Sequence, residues 1–221
     1  LVAKYHLHPN KIQEQLRLVE HQSWICAGFT ELLLDGKQTN HKPDTDLWRG
    51  LAKGNGIGQT SAQLFKRSVL RAMGGFREDW PDCEDHDLYF RLLKNGHYPL
   101  TDAQSRCIVR DRPSNKQSRA DLAGHLARRI ELHQRLHQYL LTHEANYYAK
   151  QGDYLRGTLL HHYRYWAAFN RRAAVSSAQT FFPKIGGLPR HTHGLLPGWL
   201  WWCYRYLGFA TTEFFRSLVS S

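Results

Sequence analysis

Apolar and polar positions along the chain change period more than once, and each period predicts a different element. In residues 9 to 22, PNKIQEQLRLVEHQ, the apolar Ile12, Leu16 and Val19 recur at helical spacing behind Pro9 and Asn10, which predicts a short amphipathic helix. The next stretch, WICAGFTELLL (24 to 34), is rich in aromatic and β-branched residues and closes on Asp35-Gly36, the pattern of a strand and its turn. Residues 37 to 54 are polar and read as a loop. IGQTSAQLFKRSVL (57 to 70) predicts a strand running into a short helix, and MGGF (73 to 76) predicts a sharp backbone bend at its two glycines. A helix is expected from about 82 to 95, with Asp82 as N-cap, Asp85 at N3 and Gly96 as the terminating glycine. YPLTDAQSRCIVR (98 to 110) then predicts a strand.

From about residue 114 strand signals vanish. Helical periodicity runs over 120 to 141 and 144 to 170, and a Gly- and Pro-rich loop leads into the aromatic stretch 194 to 215, GLLPGWLWWCYRYLGFATTEFF. The pattern as a whole predicts an α/β region over about 1 to 115 and a mainly helical extension over 116 to 221. Spacing of small and aromatic residues near 143 to 166 suits a paired-helix unit, but no second copy appears, so no repeat is assigned.

With 42% apolar and 13% aromatic residues in 221, the composition is that of a folded chain. The formal charge of +11 asks for an anionic partner: nucleic acid, a membrane surface or a phosphorylated substrate. Cys26, Cys83, Cys107 and Cys203 form no CxxC pair, which argues against a zinc site or a dense disulfide framework and for a reducing, cytoplasmic setting. The opening LVAKYHLHPN has no apolar run suited to a signal peptide, and its lack of a starting Met predicts further sequence upstream. Within 194 to 215, Pro197, Arg205 and several glycines interrupt the apolar run before about 18 uncharged residues accumulate, so a spanning helix is not expected. Trp199, Trp201, Trp202, Tyr204 and Tyr206 beside arginine fit either an anchor at the inner face of a membrane or a helix docked on a core.

CEDHDLYFRLLKNG (83 to 96) holds the most specific chemistry. On a helix Asp85 shares a face with Leu88, Tyr89 and Leu92, whereas Asp87 lies four residues before Arg91. Asp87 with Arg91 is expected to be an i,i+4 ion pair worth about a few tenths of a kcal/mol, and Glu84 to complement the positive helix end. An acid on the inward face needs a cleft, a cation or backbone donors, which makes Asp85 the candidate base.

The stretch 55 to 96 resembles the acceptor-side half of a family 2 glycosyltransferase of the GT-A fold. The matching elements are Asn55 and Gly58, then Phe65-Lys66-Arg67, then Gly74-Gly75-Phe76, then Glu84-Asp85-His86-Asp87-Leu88, and last Arg91-Leu92. The resemblance implies a partial GT-A mixed sheet over 1 to 115. It also implies transfer of a sugar from a nucleotide-sugar donor to the hydroxyl of a glycan or lipid-linked acceptor, with inversion, in cell-envelope polysaccharide chemistry. Asp85 would be the general base with Glu84 assisting, and Gly74, Gly75, Phe76, Trp80, Asp87 and Arg91 would bind or support the acceptor. No Gln-x-x-Arg-Trp stretch of the processive synthases is present, which favours single-sugar addition. The family uses Mg2+ or Mn2+, yet the start of the chain, aligned through His8-Pro9-Asn10-Lys11-Ile12 and Gln15-Leu16, sets Val2 and Lys4 where the metal-binding acids belong. Arg112, in Val109-Arg110-Asp111-Arg112, likewise replaces a histidine the family often carries. The resemblance therefore leaves open a second reading, a catalytically inactive relative acting as a binding or scaffolding module.

His133 and His137, at i,i+4 near Glu131, have zinc-binding spacing but no third ligand, and a packed or solvated face is expected, as for His161-His162 and His191-Thr192-His193. Arg128-Arg129, Arg164, Arg171-Arg172 and Lys184, interleaved with Tyr147, Tyr148, Tyr163, Tyr165 and Trp166, suit an anionic membrane surface better than nucleic acid, for no nucleic-acid motif accompanies them.

Overall fold

The computed structural model describes residues 5 to 19, 22 to 54, 56 to 110, 121 to 191 and 194 to 219. The chain divides into two compact units, Leu1–Ala120 and Asp121–Ser221. The first is α/β with a mixed sheet and the second is helical, as the change of period predicts.

In the first unit the described strands are β1 (Tyr5–Leu7), β2 (Trp24–Leu32), β3 (Gln38–His41), β4 (Leu64–Phe65) and β5 (Leu100–Arg110). They form one sheet in the order β1, β5, β2, β3, with β4 also on β2. β2 and β5 are parallel, and every other pairing is antiparallel. Seven successive residues of β2, from Trp24 to Thr30, are buried, as expected of a strand covered on both faces. One face packs Ile25, Ala27 and Phe29 against Ala62 and Cys107. Gly28 is required by closeness: a Cβ there would meet the His41 carbonyl oxygen at 2.7 Å and that of Gln104 at 3.0 Å. β5 bulges opposite Gly28, and Arg106 ties the bulge down by pairing with Asp102 at 2.6 Å and with Glu14 on α1 (Lys11–Leu18).

On the other face Trp24 stacks on Phe65 of β4 and on Tyr89 of α4 (Glu84–Lys94), with ring centroids 5.4 Å apart in both pairs. The Trp24 indole N–H also donates to the His97 carbonyl at 2.9 Å, just past the end of α4. That helix ends as the sequence predicts, with Gly96 left-handed and N–H groups of Gly96 and His97 returning to Leu93 and Leu92.

Residues 37 to 54 are not simply loop. They contain β3, a polar edge strand, and α2 (Leu47–Lys53), whose Asp46 cap accepts from the Arg49 N–H at 3.1 Å. The expected strand and helix in 57 to 70 shrink to a 3-10 turn (Thr60–Ala62), the two-residue β4 and α3 (Arg67–Ala72).

The second unit holds α5 (Leu122–His143), α6 (Ala145–Phe169), α7 (Arg171–Phe181), a 3-10 turn (Phe182–Ile185) and α8 (Gly198–Val219). α7 falls where a loop was expected, begun by Asn170, whose side chain accepts from the Ala173 N–H. Ile130, Leu159, Tyr163, Ala178, Phe182 and Tyr204 lie in its core. Tyr148 and Tyr163 are buried, so neither offers a face to a nucleic-acid base.

His133 and His137 are packed, as expected. The His133 ring lies 4.5 Å from that of His162, and His137 Nδ1 is 2.7 Å from the Tyr148 hydroxyl, while Glu131 is exposed. Burial, opposed by a hydrogen bond with Leu155 and reinforced by the Arg156 charge, holds His137 down to about 3. The unfolded ring takes its proton near about pH 6.5, so this contribution to stability is complete above that value and drains away as pH falls toward 3. Chemical denaturation across this range is expected to show helical-unit stability falling by up to about 1.4 kcal/mol per pH unit from this group, and His137→Gln to remove one proton's share of that slope.

Candidate functional site

The three acids at the start of α4 have three different environments. α4 begins one step later than the sequence predicts: Glu84 is its first residue, and the N-cap is Cys83 rather than Asp82. Cys83 takes a left-handed backbone at φ 59°, alone among the described non-glycine residues. The shift moves Asp85 from the third helical position to the second.

Asp87, expected in a weak i,i+4 ion pair, is fully buried, whereas Asp85, expected to face inward, keeps a side chain 21% exposed. Asp87 Oδ2 accepts from Arg91 Nε at 2.7 Å. The same guanidinium donates to the Met73 carbonyl and, at 2.7 Å, to that of Gly75. Those carbonyls belong to the Gly-Gly bend, which is the C-terminal cap of α3: Gly74 and Gly75 are both left-handed, at φ 75° and 67°. Their N–H groups return to Arg71 and Leu70. Arg91 is thus a staple from helix to bend. Phe76, next along, is exposed, and Trp80 is buried with the Arg77 guanidinium 4.7 Å from its ring centroid.

Asp85 anchors a second connection. Its Oδ1 accepts from the His86 backbone N–H at 2.8 Å and lies 2.7 Å from His86 Nδ1, and its Oδ2 accepts from the Thr60 hydroxyl at 3.2 Å. His86 Nε2 meets the Gly54 carbonyl, which can only accept, so that nitrogen is the donor. The ring thus bridges the loop at Nε2 and the carboxylate at Nδ1. Thr60 also lies 3.3 Å from the Tyr89 hydroxyl, linking the site to the aromatic stack.

Burial works against ionisation of Asp85 and is the largest single influence, but the His86 charge, its two hydrogen bonds and Thr60 together hold the carboxyl well below the usual carboxylate range. Glu84 moves the other way, raised by burial and by the negative charges of Asp85 and Asp82. Adjacent carboxyls driven apart in this way are suited to different proton-transfer roles. Oδ1 of Asp85 serves two donors and Oδ2 one, so Oδ2 retains a lone pair, on a side chain that is partly exposed as a whole.

Of the remaining expectations, Asn55, Val2, Lys4, Asp111, Arg112 and the pair Thr192-His193 lie outside the described residues. Val2 and Lys4, at the positions the resemblance would give to metal-binding acids, carry no oxygen ligand in their side chains. No family model matches the chain, and neither a curated protein nor a solved structure matches it.

His86 and Thr60 are the site residues that sequence reasoning missed. His86 was in plain view between two acids, but the signal that would have selected it, the Gly54 carbonyl 32 positions earlier, exists only in three dimensions.

Because Asp87 has no exposed surface, removing the Arg91 guanidinium takes away a cation paired with a buried carboxylate. Arg91→Met is expected to cost about 3 to 5 kcal/mol in chemical denaturation, and Asp87→Asn combined with Arg91→Met to recover part of that loss.

Proposed function

We propose that this chain is the acceptor-side part of a GT-A-like glycosyltransferase, adding single sugars from a nucleotide-sugar donor to the hydroxyl of a glycan or lipid-linked acceptor. The observation that carries the reading is Asp85: a carboxylate kept ionised, partly exposed, and with one oxygen still able to accept a hydrogen bond.

In the proposed step the acceptor hydroxyl donates to Asp85 Oδ2. Its oxygen attacks the anomeric carbon as the bond from that carbon to the diphosphate breaks, and the hydroxyl proton passes to Asp85. The His86 charge and the hydrogen bonds outweigh burial and make Asp85 a weak base in the ground state, so the proton moves late, once the attacking oxygen has become acidic. Thr60 and His86 hold the carboxylate in place, and the adjacent Glu84, less readily ionised, would assist acceptor binding. The staple through Arg91 fixes the Gly74-Gly75 bend and with it the exposed Phe76, a ring suited to the apolar face of a sugar.

A second reading rests on the same contacts. Asp85, His86 and Thr60 join the turn near Gly54 to α4, which an inert scaffold would also need. The two are separated by assaying release of nucleoside diphosphate from UDP-, GDP- and dTDP-hexoses in the presence of glycan and lipid-linked acceptors. Asp85→Asn is expected to lower the rate by about 10² to 10⁴ while leaving Tm within a few degrees. Equal rates for the two proteins, or no turnover together with a large fall in Tm for the variant, would favour the scaffold.

A further inference from the structure

In the helical unit, α8 leaves an unusual share of its large apolar side chains in water. Trp199, Trp202 and Tyr206 are exposed and fall at helical spacing on one face, with Trp202 stacked on Tyr206 at 4.8 Å. Further along, Phe214, Phe215 and Leu218 are also exposed, as is Phe169 at the end of α6. Yet none of the described helices is long and apolar enough to cross a membrane.

Beside the second group lies a cleft of about 470 Å3, lined by Phe169 and Arg171 from one side and by Glu213, Arg216 and Ser217 of α8 from the other. Its charges do not cancel. Glu213 is almost wholly buried and engaged twice, accepting from the Tyr204 hydroxyl and pairing with Arg216 at 3.1 Å. Arg171 is exposed, donates to the Ser217 hydroxyl, and sits with its guanidinium 5.6 Å from the centre of the exposed Phe214 ring. Arg172 is exposed next to it. A guanidinium held over an aromatic face keeps its edge N–H groups for an oxyanion, and a guanidinium among exposed rings is the composition that settles at the boundary between lipid headgroups and acyl chains.

We propose that this cleft seats the phosphate headgroup of an anionic phospholipid, with Phe169, Phe214, Phe215 and Leu218 entering the interfacial zone around it. The surplus positive charge selects an anionic bilayer over an uncharged one. The exposed rings select a bilayer over a soluble phosphate, for which they would have no use.

Co-sedimentation with phosphatidylcholine vesicles, with and without phosphatidylserine, tests the site. Binding is expected only when phosphatidylserine is present and is expected to weaken with added salt. Arg171→Glu is expected to weaken it about 25-fold, two charge units at roughly fivefold each, without altering helicity, since Arg171 lies on the surface. Lys184→Glu makes the same charge change at an exposed position outside the cleft and is expected to cost clearly less. Phe214→Ala with Phe215→Ala is expected to weaken binding and to reduce quenching of tryptophan fluorescence by brominated lipid. Equal losses for Lys184→Glu and Arg171→Glu would replace the headgroup site by diffuse charge attraction and overturn the proposal. So would binding to phosphatidylcholine alone at equal strength, a response of Arg171 resonances to inorganic phosphate without vesicle binding, or self-association that protects the aromatic face. None of these readouts depends on sugar transfer.

Discussion

Everything in the first unit is referred to one contact, the Tyr89 ring lying flat on Trp24 with 4° between their planes. Trp24 opens the central strand and Tyr89 sits in the middle of α4, so the stack sets the distance and rotation of the helix over the sheet. Phe65 closes the other side of Trp24, and the indole N–H fixes the far end of α4 through His97. A stacked, fully buried ring pair tolerates little sliding, because lateral displacement opens space that no other side chain fills. The side chains at the beginning of the helix inherit that precision.

Polar groups at the helix start are then divided between two connections. Arg91 and Asp87 hold α3 to α4 and present nothing to solvent on the acid side. Asp85 joins α4 to the preceding loop, with one oxygen set against His86 and the other accepting from Thr60. A desolvated carboxylate stays charged only because a cation and oriented donors replace the lost water, and the same donors limit the freedom it would need to be a strong base. Its chemistry is therefore tied to the loop that carries Gly54 and Thr60.

Much of this architecture can be read from the linear pattern. Seven consecutive buried residues in β2 and the paired helices α5 and α6 follow from composition and period, and the glycine ending of α4 follows from one residue. β3 escaped because QTNH is an exposed edge whose residues give no alternation, and α2 because seven residues with an internal Gly50 carry no full helical period. α7 was hidden by its small residues, Ala173, Ala174, Ser176, Ser177 and Ala178, which pack closely without announcing an apolar face. The start of α4 was misread for a different reason. Asp82 is the residue type that caps, but Cys83 adopts the left-handed turn and the helix begins one residue later. The facing of the acids was misjudged because α4 is buried on both sides, at Leu88, Tyr89 and Leu92 and again at Asp87, Phe90 and Leu93, so spacing does not separate an inner from an outer face.

The backbone break at Gly208, φ 78° and ψ 168°, has a geometric consequence for α8. Uninterrupted, its 22 residues would extend about 33 Å, close to the thickness of a bilayer's hydrocarbon. Divided there, each arm reaches only about half as far, so a rod of transmembrane length becomes two short levers, each able to lie flat.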